Sequence, residues 1–113
     1  MIIPWNYPFV VMSERLPFIL AGGNSVIIKP SEYASRSIVY FVKLLKNIGL
    51  PKGVVNLIFG KGSSIGSKLV NNNLINMISF TGSTETGKKI MSSASSSIKR
   101  LSLELGGKNS ILI

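Results

Sequence analysis

Four polar side chains stand where their neighbours would hold them rigidly. Asn6 lies in Pro4-Trp5-Asn6-Tyr7-Pro8, between two prolines that restrict the backbone on either side. An amide held in this way can donate a hydrogen bond to an oxyanion that develops during a reaction. Lys29 and Glu32 lie in Lys29-Pro30-Ser31-Glu32, directly after the β-branched run Ser25-Val26-Ile27-Ile28. Open α/β sheets bind ligands beyond the carboxyl ends of their strands, where a lysine donates to, and a glutamate accepts from, the ribose hydroxyls of a nucleotide. Glu104 closes an apolar alternation in Leu103-Glu104-Leu105-Gly106-Gly107. Partial desolvation beside the two glycines would suit it to general-base work. Each side chain also has a plainer reading. Taken singly, Asn6 reads better as a turn residue beside a core tryptophan, and Glu32 as a cap on the next helix. Glu104 could equally be a solvent-facing residue on an edge strand.

Two glycine-rich turns add a second kind of chemistry. In Ile78-Ser79-Phe80-Thr81-Gly82-Ser83-Thr84-Glu85-Thr86-Gly87 an apolar, β-rich run breaks at Thr81-Gly82 and passes into a helix start. Gly82 permits the sharp turn, Gly87 close helix packing, and Ser83 or Thr84 an N-cap. The unpaired N–H groups of a helix N-terminus suit a phosphate. Gly60-Lys61-Gly62-Ser63-Ser64-Ile65-Gly66 is the second turn. Neither carries the G-x-G-x-x-G dinucleotide fingerprint, and on spacing alone an ordinary capped strand-to-helix turn has the better claim.

The elements that must position these residues alternate in type. Ile2-Ile3 reads as the end of a strand, and residues 10–20 as a short helix near Pro17. Gly22-Gly23-Asn24 is a turn, residues 25–29 a buried strand, and Ser31 opens a helix that runs to Ile48, with Gly49 as its C-cap. Residues 54–59 form a second buried strand, and residues 60–66 lead into a helix through Val70. Residues 76–80 form a third strand, followed by a helix to about Ser93. Residues 100–105 form a further strand, and residues 110–113 begin another. Strand–helix alternation predicts an α/β fold with a parallel sheet and right-handed crossovers. Residues 1–113 read as one partial domain, with both ends cut within elements.

Composition narrows the chemistry. There is no cysteine, histidine or aspartate, so neither disulfides nor the usual Cys/His zinc sites can be built, a Ser-His-Asp triad is excluded, and no metal site is expected. Net charge is +9, but the lysines are scattered without a long basic run, so a solvated surface is expected rather than a nucleic-acid partner. The N-terminus has no signal-peptide pattern, and no apolar run is long enough to cross a membrane. A cytoplasmic location and no membrane partner are therefore expected.

Together, PWNYP, GNSVIIKPSE, GLPKGVVN, FTGSTETG and LELGGK resemble, in order and at the right intervals, the motifs of the aldehyde dehydrogenase superfamily. The resemblance covers nearly the whole chain. It implies a Rossmann-like cofactor domain in which helices flank a parallel sheet. It implies oxidation of an aldehyde to a carboxylate with NAD as hydride acceptor, NADP being the alternative, and homo-oligomeric full-length members. Asn6 matches the residue that stabilises the oxyanion, and Glu104 matches the general base. Lys29 and Glu32 match ribose ligands, and Ser83 after Gly82 matches a pyrophosphate contact. Trp5 lines the cofactor cleft, and Ile3, Ser31, Gly62, Gly66 and Leu105 complete the expected cofactor-binding set. Glu32 should repel a 2′-phosphate and so favour NAD. Two departures qualify these implications. Glu14-Arg15 replaces the common Trp-Lys, and an arginine does not readily release a proton, so the lysine's proton-relay role is not carried over. The family's nucleophilic cysteine lies beyond the LELGG motif, so the chain alone is expected to be inactive. The alternative is a non-catalytic nucleotide-binding remnant. Within the enzyme class, transfer of the acyl group to coenzyme A also stays open.

Overall fold

A computed structural model of the chain describes residues 1–107; the strand expected over residues 110–113 lies outside them. The first helical segment is two helices, α1 (Pro8–Ser13) and α2 (Leu16–Ala21), instead of one. Pro17 has no N–H to donate one turn back, so the helix breaks at Glu14-Arg15 and restarts with the proline near its start. Strand β1 (Val26–Ile28) leads to α3 (Arg36–Asn47) and β2 (Val55–Leu57). Helix α3 starts five residues later than the sequence suggests. Ser31 forms a local turn first: its Oγ accepts from Tyr33 N at 3.3 Å and its carbonyl from Ala34 N at 3.3 Å. A π-helical turn over Gly62–Gly66 runs into α4 (Ser67–Asn71). β3 (Met77–Gly82), α5 (Thr84–Ser95) and β4 (Arg100–Leu105) follow.

β1 pairs with β2 and β3 with β4, both in parallel. The N-terminal stretch joins the two pairs. Ile2 bridges in parallel to Lys29 on one side and to Phe80 on the other. Its main chain donates to Ser79 O at 2.8 Å and accepts from Thr81 N at 3.2 Å, and Ile3 N donates to Lys29 O at 3.1 Å. The order across the sheet is therefore β2, β1, the N-terminal stretch, β3, β4, all running the same way.

Alternation of side chains along the N-terminal stretch separates two cores. Met1 and Ile3 join Met12, Leu16, Val26, Ile28 and Ile38 under α1, α2 and α3. Ile2 packs against the other cluster, Val70, Ile78, Phe80, Ile90 and Ala94, under α4 and α5. The first core is reinforced by an edge-to-face contact of Phe9 with Phe41 at 5.3 Å between ring centres. Among the described residues, no helix is long and apolar enough to cross a membrane.

Candidate functional site

Because all five segments run in parallel, the loops that leave their carboxyl ends gather on one rim of the sheet. A cleft of about 600 Å³ opens there. The N-terminal loop brings Ile3, Trp5 and Asn6 to its wall; the loop after β1 brings Lys29, Ser31 and Glu32. Gly62 comes from the loop after β2, Gly82 and Ser83 from the end of β3, and Glu104 and Leu105 from the end of β4. Gly66 does not reach this cleft. It is buried where the π-helical turn passes into α4, at the N-cap of that helix. A larger cleft, about 800 Å³, lies around Met1, Val26, Met77 and Arg100 at the opposite, amino ends of the strands and carries none of the expected residues.

The loop between Pro4 and Pro8 has an unusual backbone. Tyr7 takes a left-handed conformation, φ 51°, at the N-cap of α1. The preceding Asn6 is exposed and lines the cleft beside Trp5. Lys29 is 2 % exposed, and its ammonium donates to Pro30 O at 3.1 Å and lies 3.8 Å from Glu32 Oε2. Glu32 therefore faces Lys29 across the turn and does not cap α3, whose N-cap is Ser35.

At the end of β3, Ser83 caps α5: its Oγ accepts from Thr86 N at 3.2 Å and donates to Thr86 Oγ1 at 2.9 Å. Glu85 in the first turn is held below the usual carboxylate range by its hydrogen bond to Lys89 at 2.6 Å, which also offsets its charge beside the helix N-terminus. Thr84 Oγ1 donates to Gly106 O at 3.0 Å and ties the start of α5 to the end of β4. A Cβ at Gly87 would come within 2.5 Å of Leu105 Cδ2, so a side chain there would push Leu105 from its place against α5.

The desolvation expected at Glu104 is not found. Its side chain is 67 % exposed, and its Oε1 lies 3.7 Å from Arg15 Nη2. The sequence reasoning missed Thr81 and Thr86, which also line the cleft. Thr81 Oγ1 is buried there without a hydrogen-bond partner among the described residues, and Thr81 sits opposite Glu104 in the β3–β4 register. That register was the only signal for it, and it is not visible in one strand read alone.

The family model described as "Aldehyde dehydrogenase family" matches residues 1–113. Betaine aldehyde dehydrogenase of Bacillus subtilis is 47 % identical over 108 residues, covering 96 % of this chain and 22 % of that protein. Lactaldehyde dehydrogenase of Escherichia coli is 43 % identical over 95 % of this chain and 22 % of its own length. The solved structure of betaine aldehyde dehydrogenase from Staphylococcus aureus in complex with NAD+ superimposes with a TM-score of 0.92 at 42 % identity, over 96 % of this chain and 22 % of that one. The chain thus spans about a fifth of the length of these relatives.

Proposed function

We propose that this chain, which belongs to the aldehyde dehydrogenase family, supplies the cofactor cleft, the oxyanion amide and the base for oxidation of an aldehyde to a carboxylate with NAD. The observation that carries the reading is the convergence of Asn6, Lys29, Glu32, Ser83 and Glu104, from four separate segments of the chain, on one cleft. Three features fit a dinucleotide. Lys29 and Glu32 offer a donor and an acceptor 3.8 Å apart, as a ribose diol requires. The N-terminus of α5 borders the same cleft through Ser83 and Thr86, and the partial positive charge of a helix start suits a pyrophosphate. Thr81 Oγ1, buried without a partner among the described residues, has capacity for one polar contact from a ligand.

The nicotinamide, when bound, accepts the hydride. The chain's own residues bind, orient and move protons. Asn6 donates to the developing oxyanion, and Glu104, open to water, takes a proton from the water that releases the acid. Glu32 disfavours a 2′-phosphate by like charge, so NAD is preferred to NADP. The 113 residues contain no cysteine, so the thiolate attack of the family reaction is not theirs.

The test is a chimera in which this segment replaces its counterpart in the B. subtilis relative. Oxidation of betaine aldehyde that is abolished by Glu104→Gln supports the proposal. A folded chimera that binds NAD+ without turnover overturns the catalytic part and leaves a nucleotide-binding remnant; one that binds no NAD+ overturns the whole.

A further inference from the structure

We propose that Arg15 is a positioning residue that holds the carboxylate of Glu104 at the cleft from the α1–α2 face of the sheet; this rests on the reading of Glu104 as the base. Arg15 sits where α1 breaks and α2 begins. Its backbone is fixed there, with its N–H on Met12 O at 3.2 Å and its carbonyl accepting from Ile19 N at 3.1 Å. Its side chain is only 17 % exposed and reaches two strands at once. Nη1 donates to Ser79 Oγ on β3 at 2.6 Å, and Nη2 lies 3.7 Å from Glu104 Oε1 on β4. Ile78 and Phe80 point into the α4–α5 core, so Ser79 points to the opposite face, where α1 and α2 lie. Thr81 shares that face, and Glu104 pairs with Thr81 in the ladder.

A guanidinium is a rigid, planar fork. Once Ser79 fixes one arm, the plane of the group and the direction of the other arm are set. Glu104 then meets a positive charge at a constant place and is drawn to one side-chain conformation. Arg15 does not line the cleft, whereas Glu104 does, so Arg15 acts on the carboxylate and not on a ligand. A lysine has a single charged tip and cannot occupy both places. At 3.7 Å, with Glu104 largely hydrated, the pair biases a conformational equilibrium by about two- to five-fold, the range of exposed ion pairs. The Glu14-Arg15 departure from the common Trp-Lys thus carries a role of its own.

The chain has four glutamates, so selective isotope labelling leaves few signals. Three-bond couplings report the χ1 populations of Glu104, assigned by its loss in Glu104→Gln. One conformer should dominate in the 113-residue chain. Arg15→Met should lower its ratio to the others about two- to five-fold, and Ser79→Ala should shift it in the same direction by less. Arg15→Lys should not restore it. Unchanged couplings in Arg15→Met, with the β3–β4 amide signals intact, overturn the proposal. If Arg15→Met does not fold, Ser79→Ala decides alone, with unchanged couplings again overturning it. Titrating the same samples with NAD+ separates the two readings. Absent binding with a shifted Glu104 equilibrium defeats the cofactor reading only, and normal binding with unchanged couplings defeats the positioning role only.

Discussion

Replacing Lys29 by methionine should separate ligand binding from folding. The ammonium is almost fully buried and spends one hydrogen on Pro30 O at 3.1 Å; Glu32 lies 3.8 Å away. An ammonium has three donors, so a ligand hydroxyl in the cleft can take another. Losing a hydrogen bond from a charged group costs about 1.5–3 kcal/mol, which is roughly a 10- to 150-fold weaker Kd for NAD+. Folding responds differently. Burying an ammonium costs several kcal/mol, a cost that methionine avoids. Against that, Pro30 O loses its partner, at about 1–3 kcal/mol, while Glu32, whose side chain is 43 % exposed, is re-solvated. The opposing effects leave stability within about 1–2 kcal/mol of the parent chain. Trp5, the single tryptophan, is 66 % exposed at the cleft, and its fluorescence reports binding; urea unfolding reports stability. An intact Lys29→Met chain with unchanged NAD+ affinity would refute the assignment of Lys29 to the ligand. A loss of more than about 3 kcal/mol of stability would show that its role is structural.

Two further outcomes follow from local geometry. Ser83→Ala removes the acceptor for Thr86 N and should destabilise the chain by about 0.5–2 kcal/mol in thermal or urea unfolding. In a polypeptide that starts at Met1, the amine of that residue, hydrogen-bonded to Ile27 O at 2.7 Å, has its pKa lowered to about 6 from 8.0, chiefly by burial and then by Arg15. Between these values the unfolded chain binds more protons. Stability should therefore rise from pH 6 to pH 8 by up to about 2–3 kcal/mol and fall away again on acidification; acetylating the amine should flatten that rise.

Much of the frame is written in local pattern. β4 has the bounds that alternation from Arg100 to Leu105 suggests, and α5 begins directly after Ser83, whose hydroxyl caps it. Other features needed information from distant parts of the chain. Ser31 competes for its own backbone, which delays α3, and hydropathy does not encode that choice. Gly62 and Gly66 look equivalent in sequence, yet the π-helical turn sends only the first to the cleft. The exposure of Glu104 depends on what packs over the end of β4, which the alternation of that strand does not show. The Arg15–Ser79 bond joins residues 64 positions apart and becomes legible only once α1, α2 and β3 are packed.

The central claim is that one rim of the sheet, and not the other, receives the cofactor. Mapping backbone amide shifts during an NAD+ titration tests it most directly. Saturable changes should concentrate at Ile3 to Asn6, Lys29 to Glu32, Gly82 to Thr86 and Glu104 to Gly106. Changes centred on Val26, Met77 and Arg100 at the opposite rim, or no saturable change at all, would contradict it.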